Sequence, residues 1–344
     1  MQASYKKYIL NFKRPSGTSR GVLTEKETWF IKITDGDQFG IGECGILRSL
    51  SYDDRPDFKE KLKWACDNIH LGMERLWDEL KEFPSIQFGI EMAFKSLYAE
   101  DPFVLFPSDF TRGIKSIPIN GLIWMGDKDF MKQQISDKIE AGFNCIKLKI
   151  GAIDFETEIA LLKSIRENFS AKQIELRVDA NGAFSPSDAL QKLERLSKFD
   201  LHSIEQPIKQ GQISEMAELC QKTPLPIALD EELIGVTSKK DKEDLIRAIK
   251  PQYAIFKPSL IGGYKGTREW LEICENNSAD WWITSALESN IGLNAIAQWT
   301  FTLGSSLPQG LGTGGLYTNN FESPLFVENG NINYNPAVEW EIKY

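Results

Sequence analysis

Histidine is nearly absent. The 344 residues contain two, His70 and His202, so a three-histidine zinc site is excluded, and a Ser-His-Asp triad would have to use one of these two. His202 opens an apolar stretch and is expected to be packed. His70 lies on a polar helix and is expected to face water. Cysteine is sparse and odd in number: Cys44, Cys66, Cys145, Cys220 and Cys274, with no C-x-x-C spacing. That excludes a zinc ribbon or a dithiol redox motif and leaves buried free thiols in a reducing compartment. No run approaches the ~18 apolar residues of a membrane span. The start, MQASYKKYILNFKRPSG, lacks the apolar core of a secretion signal, and a cytoplasmic location is expected. Positive charge is also short, with 40 Lys+Arg against 49 Asp+Glu and a net charge of −9. An acidic chain without a basic block is a poor partner for nucleic acid. No G-x-G-x-x-G follows a strand, so a dinucleotide crevice lacks support. What is left for chemistry is lysine, aspartate and glutamate.

The composition that is present is ordinary for a globular protein, with 42% apolar and 26% charged residues. Residues 5–12, 27–33 and 39–44 read as strands, and 54–82 and 86–99 carry helical spacing. Together they suggest an α+β unit that ends in the loop Asp101–Gly113. Beyond it, short apolar strands alternate with amphipathic helices. The strands read Ser116–Asn120, Asn144–Ile150, Ile174–Ala180, Leu201–Gln206, Pro226–Asp230, Tyr253–Pro258, Trp281–Ser285 and Leu307–Leu311. Met131, Ile135 and Ile139 recur every four residues before Gly142, a C-terminal stop. Asp154 and Ser185-Pro186 read as helix starts. Eight strands with intervening helices predict a closed parallel barrel, with an open doubly wound sheet as the alternative.

Side chains alternate faces along a strand. In Cys145–Ile150 the residues Ile146, Leu148 and Ile150 share one face, so Lys147 and Lys149 share the other, inside a barrel. The same parity turns Arg177 and Asp179 inward. Glu205, Asp230 and Lys257 end the next three strands. The steps from Lys147 to Asp179, Glu205, Asp230 and Lys257 are 32, 26, 25 and 27 residues, each about one strand-helix unit. The C-terminal rim of a barrel is where active sites sit. Any one of these acids alone reads equally well as a helix N-cap. Three together, flanked by lysines, would repel unless a cation joined them, and oxygen-only ligation favours Mg²⁺ or Mn²⁺. A lysine beside such a centre suits removal of a proton next to a carboxylate. A metal-free Schiff-base lysine and a non-catalytic binding barrel are the competing readings.

The set Lys147-x-Lys149, Asp179-Ala-Asn181-Gly182, Glu205-Gln206-Pro207, Asp230-Glu231 and Lys257-Pro258 resembles the enolase superfamily, in its muconate-lactonizing, mandelate racemase-like subgroup. The resemblance implies an α/β fold: a modified TIM barrel, (β/α)₇β, over residues 113–319. An α+β capping domain would span 1–112, joined by the segment 320–344. It implies Asp179, Glu205 and Asp230 as Mg²⁺ ligands, with Mn²⁺ possible, and Lys149 and Lys257 as the two active-site lysines. Within the subgroup, Arg177-x-Asp179, the stretch Ser285–Leu293 and Gly312-Thr-Gly-Gly-Leu-Tyr-Thr look most like the o-succinylbenzoate synthases. That likeness implies an Mg²⁺-dependent hydro-lyase of menaquinone biosynthesis acting on a small carboxylate. An N-acylamino acid racemase or dipeptide epimerase is the alternative on the same scaffold. Lys147, Arg177, Asn181, Ser285, Gly310 and Arg20 are the expected substrate or supporting contacts. Ser285 and the backbone near Gly310 would meet a carboxylate, although Ser285 reads equally well as a helix cap. Arg177 reads better as an ion pair beneath the metal ligands. The loop Arg14–Gly21 is expected to act as a lid. Neither nucleic acid nor membrane is expected as a partner, and the oligomeric state is left open.

Overall fold

The computed structural model describes residues 1–18 and 21–341. The chain opens with a three-stranded antiparallel meander, β1 (Gln2–Thr18), β2 (Gly21–Asp35) and β3 (Gln38–Gly45). Period-two alternation gives β2 two apolar faces. Trp29, Ile31 and Ile33 enter one core, and Phe30 enters the core it shares with the barrel. The strands run further than the alternation suggests. Arg14–Thr18, expected as loop, continues β1 past a register shift between Asn11 and Ser16. Three helices follow: α1 (Phe58–Asp67), α2 (Met73–Glu79) and α3 (Pro84–Leu97). The single helical stretch expected over 54–82 breaks at Gly72, where φ is +80°. α3 lies directly on β3. A Cβ on Gly42 would sit 1.9 Å from the Gly89 carbonyl oxygen, so only glycine permits that approach.

The expected first barrel strand is displaced. Ile117–Pro118 forms β4, which pairs antiparallel with β13 (Asn331–Tyr334), itself joined to β12 (Leu325–Glu328). Proline has no N–H for a central ladder, which suits Pro118 to a short edge pairing. The barrel instead begins at β5 (Gly121–Ile123). It continues through α4 (Lys128–Glu140), β6 (Cys145–Lys149), α5 (Phe155–Asn168), β7 (Glu175–Asp179), α6 (Pro186–Leu196) and β8 (Ser203–Glu205). Then come α7 (Ile213–Lys222), β9 (Ile227–Leu229), α8 (Lys239–Ile249), β10 (Tyr253–Phe256), α9 (Pro258–Ile261), α10 (Gly263–Asn276), β11 (Asp280–Ile283) and α11 (Asn290–Leu303). β5 to β11 form one parallel sheet in sequence order. The eighth strand is reduced to two parallel bridges, Ile119 to Gln309 and Thr284 to Gly310, which join the two edges of the sheet. This is the (β/α)₇β pattern. Outward residues such as Ile146, Leu148, Leu176 and Val178 pack under the helices, and Ala228, Ile255 and Trp282 fill the barrel interior. Asp154 caps α5 by accepting the Thr157 N–H, whereas the Ser185 side chain makes no capping bond at α6. All five cysteines are free and buried. Among the described residues no helix is long and apolar enough to cross a membrane.

Candidate active site

Five consecutive strands carry a charged side chain at their C-terminal ends. Lys149, Asp179 and Glu205 are the last residues of β6, β7 and β8, and Asp230 and Lys257 directly follow β9 and β10. Asp179 stands opposite both Lys149 and Glu205 in the ladders. Strand parity thus gathers onto one rim what the sequence spreads over about a hundred residues. Ligand atoms of Asp179, Glu205 and Asp230 lie within 4.8 Å of one another, and all three carboxylates are buried.

Each acid is met by a lysine. Lys147 Nζ is 2.5 Å from Glu205 Oε2 and 3.1 Å from Asp179 Oδ2. Lys149 Nζ donates to Asp179 Oδ2 at 2.9 Å and to Asn181 Oδ1 at 2.8 Å. Lys257 Nζ reaches both oxygens of Asp230, at 2.7 and 2.5 Å. Burial opposes the charge on Lys147, but Glu205, Asp179 and Asp230 outweigh it and raise its pKa above the ordinary lysine value. Burial likewise opposes ionisation of Asp179, yet Lys149 and Lys147 hold its carboxyl well below the usual carboxylate range. Lys257 is raised, against burial, by Asp230 and Glu231. Glu205 moves the other way. Burial, with the charges on Asp179 and Asp230, pushes it up to about 7 despite Lys147. Its Oε1 is buried with no hydrogen-bond partner. Crowded carboxylates with an unbonded anionic oxygen, and oxygen as the donor atom throughout, fit a hard divalent cation.

A cavity of about 260 Å³ opens above this ring. Lys147, Lys149, Asp179, Asn181 and Lys257 line its charged side, and Glu205 and Asp230 lie beneath the lining. Its cap-side wall comes from Val22 and Leu23 at the start of β2 and from Leu47–Leu50 after β3. The latter loop is braced. Arg48 pairs with Glu27 at 2.7 Å and with Asp54 at 2.5 Å, and Ser49 N–H donates to Asp54.

The remaining expected contacts divide. Asn181 is in place, with φ +44° and its N–H on Asp179 Oδ1. Arg177 does not line the cavity. It is wholly buried below the acids, donates to Glu175 Oε1 and the Pro308 carbonyl, and stacks 4.3 Å from the Trp282 ring centroid. Ser285 lines the cavity, but its hydroxyl is consumed. It donates to Glu288 Oε2 at 2.6 Å and accepts from Thr313 and from the Leu287 N–H, which leaves no hydrogen for a ligand. Gly310 also lines the cavity, but its N–H donates to the Ile283 carbonyl and its carbonyl accepts from Ser285 N–H. Both residues thus line the cavity with their own polar groups held by the protein, and the carboxylate contact expected there stays a proposal. Arg20 lies outside the described residues. His202 packs on Tyr253 and Trp282, and His70 is exposed.

Two supporting groups were not anticipated. Glu288 accepts from Ser259, two residues past Lys257, as well as from Ser285, and so ties the ends of the sixth and seventh barrel strands. Gln206 spans the loops that carry Glu205 and Asp230. The Ser285-x-x-Glu288 spacing was the only local signal for the first, and the second had none beyond its place after Glu205.

Comparison with known proteins agrees with the geometry. Residues 131–337 match the family model described as enolase C-terminal domain-like. The chain is 47% identical to the o-succinylbenzoate synthase of Desulfotalea psychrophila, across 96% of this chain and 98% of that one. It is 33% identical to the L-Ala-D/L-Glu epimerase of Francisella tularensis subsp. novicida, across 78% and 71%. The crystal structure of MenC from Desulfotalea psychrophila superposes with a TM-score of 0.86 at 44% identity, covering 97% of this chain and 99% of that one. Near-complete coverage, at an identity well above that to the epimerase, places the likeness in the cap as well as the barrel. The chain belongs to the o-succinylbenzoate synthase family of the enolase superfamily.

Proposed function

We propose that the protein is an Mg²⁺-dependent hydro-lyase that converts 2-succinyl-6-hydroxy-2,4-cyclohexadiene-1-carboxylate to o-succinylbenzoate in menaquinone biosynthesis, in the cytoplasm. The observation that carries the reading is the placement of Lys149 and Lys257 on strands four apart in the barrel, hence on opposite walls, with three carboxylates between them. Asp179, Glu205 and Asp230 would hold the cation. Once bound there, it supplies fixed positive charge that acidifies the proton next to a substrate carboxylate.

Lys149, oriented by Asp179 and Asn181, takes that proton on Nζ. The C–H electron pair forms the new ring double bond, the C–OH bond breaks, and the hydroxide leaves as water with the proton that Lys149 returns. Lys257 keeps its charge on the far face and stabilises the electron-rich ring. Lys147 pairs with Glu205 and Asp179 and holds those two carboxylates in place beside Lys149.

The apolar part of the lining, on the cap side and at Leu287 after β11, favours this substrate over a dipeptide. Leu23, Leu47, Leu50 and Leu287 face the cavity and offer a carbocycle apolar contact, whereas they would leave an amide N–H and C=O unsatisfied. The 47% identity to an o-succinylbenzoate synthase supports the same choice. In this reading residues 1–112 with 320–344 form the cap and 113–319 the barrel. The bond from Tyr8 to the Asn319 carbonyl and the packing of Phe321 on Tyr8 support the return of the tail.

The test is direct. Purified protein with Mg²⁺ is expected to form the aromatic product, followed by ultraviolet absorbance. N-succinyl amino acids and dipeptides in D₂O are expected to exchange their α-proton with kcat/KM lower by at least about a hundredfold, or ~2.7 kcal/mol in transition-state binding. Faster exchange with little aromatic product would move the protein to the epimerase reading.

A further inference from the structure

Backbone pairing accounts for two of the three carboxylates and not for the third. Asp179 and Glu205 are direct partners in the β7–β8 ladder, so register sets their spacing. The β8–β9 ladder consists of Ile204 with Ile227 and Glu205 with Ala228. Asp230 lies two residues beyond its last pair, with φ −129° and ψ −82°, outside the strand region. On the other side Leu229 still pairs with Ala254 of β10, so the sheet holds the chain up to Asp230 and the orientation of Asp230 itself is set beyond the ladders.

The Gln206 side chain takes over where the ladder stops. Its Oε1 accepts the N–H of Asp230 and the N–H of Glu232, each at 3.2 Å. Its Nε2 donates to the Ile208 carbonyl at 3.0 Å and to Glu232 Oε2 at 3.1 Å. All four hydrogen-bonding positions of the carboxamide are used. The backbone of the same residue adds two more links. Its N–H donates to the Ala228 carbonyl at 2.9 Å, and its carbonyl accepts the Gly182 N–H at 2.7 Å. One fully buried residue is thus bonded to the loops that follow Asp179, Glu205 and Asp230. It does so at φ +36°, a conformation that costs a residue with a side chain and that glycine would adopt more easily. Glycine would lose the carboxamide. Glutamate would turn an acceptor toward the Ile208 carbonyl and Glu232.

We propose that Gln206 is a positioning residue that sets Asp230 against Asp179 and Glu205, and so determines how well the three carboxylates fit a small divalent cation. The inference rests on the metal reading given above. Gln206 does not line the cavity, so its effect passes through Asp230. Groups that orient metal ligands typically change metal affinity by about 10–100-fold when altered.

The experiment is calorimetric titration of metal-free protein with Mg²⁺ and, separately, with Ca²⁺, on the wild type, Gln206→Ala, Gln206→Glu and the double variant Gln206→Glu with Glu232→Gln. Mg²⁺ demands near-octahedral geometry, and Ca²⁺ tolerates irregular sites. Gln206→Ala and Gln206→Glu are expected to weaken Mg²⁺ binding at least about tenfold and Ca²⁺ binding less, so that the ratio of the two affinities moves toward Ca²⁺. The near-isosteric Gln206→Glu carries the test if Gln206→Ala does not fold. Adding Glu232→Gln returns a donor to the contact and is expected to recover part of the Mg²⁺ affinity. Equal loss for both ions, or Mg²⁺ affinity within twofold of wild type, would overturn the inference. A wild type that binds no Mg²⁺ would overturn the metal reading itself, which separates the two failures.

Discussion

Two regions bury carboxylates in threes, and they satisfy them differently. At the seam between the N-terminal sheet and the barrel, and within the N-terminal helices, Glu43, Asp53 and Glu91 accept from neutral donors at helix starts. Glu43 takes the Ser289 N–H and hydroxyl and the Gly292 N–H at the start of α11, and the Thr28 hydroxyl. Asp53 takes the Ser85 N–H and hydroxyl at the start of α3, and Glu91 takes the Tyr264 and Lys265 N–H groups at the start of α10. Among the described residues none of these three acids forms an ion pair. On the barrel rim Asp179, Glu205 and Asp230 are met by lysines instead. Helix amides fasten an acid without a mobile charge, which suits docking one part of the chain on another. Lysines on flexible stems can yield to an incoming cation, which suits a working centre. Burial of a carboxylate is therefore uninformative until its donors are named.

The largest effect expected from this contrast is loss of function without loss of fold. Asp179→Asn, Glu205→Gln or Asp230→Asn should remove nearly all turnover and weaken Mg²⁺ binding by more than about a hundredfold, beyond what altered supporting groups cost. The metal-free protein should stay folded, with a melting temperature that holds or rises for Glu205→Gln, whose charge is disfavoured, and falls for Asp179→Asn and Asp230→Asn, which leave Lys149 or Lys257 without its carboxylate. EDTA should abolish activity and Mg²⁺ restore it. Next, Lys149→Ala should lose the chemical step and keep Mg²⁺ binding by titration, with Lys147→Met milder. A dead Lys147→Met beside an active Lys149→Ala would exchange their roles. The seam should behave in the opposite way. Glu43→Gln should cost about 1–3 kcal/mol in denaturant unfolding, with kcat changed only a few-fold.

The smallest effect is a pH slope. Burial lifts Glu91 from 4.5 to about 8, against the pull of the Lys265 and Tyr264 N–H groups, and lifts Asp53 from 3.8 to about 6, against that of Ser85. An acid raised on folding stabilises the native state fully below its unfolded value, and that contribution is lost as pH rises through its folded value. Melting temperature should therefore fall between about pH 7 and 8 on account of Glu91, above the range in which Asp53, Glu158 and Glu205 contribute, and Glu91→Gln should flatten that interval.

The rim was legible in the sequence because it is built from local regularities. Period-two alternation turned Lys147, Lys149 and Asp179 inward, and the strand-helix repeat spaced the acids. The missed parts depend on partners far along the chain. Glu43 sits in an apolar strand with nothing nearby to mark it, and its donors at the start of α11 lie about 250 residues away. The first barrel strand, read at Ser116–Asn120 across Pro118, lies instead at Gly121–Ile123, while the eighth, read at Leu307–Leu311, is present as two bridges at Gln309 and Gly310. Ser285 read equally as a carboxylate contact and a helix cap, because its partners Thr313 and Glu288 are visible only in three dimensions.

The central claim is that the lysine-paired acids, and not the amide-capped ones, hold a divalent cation. Crystals grown with Mn²⁺ and measured at the manganese edge test it most directly. The account predicts a single anomalous peak bonded to an oxygen from each of Asp179, Glu205 and Asp230, with at least one of the ammonium groups of Lys147, Lys149 and Lys257 withdrawn from its carboxylate. No peak there at saturating Mn²⁺, with all three lysines still on their acids, would contradict it.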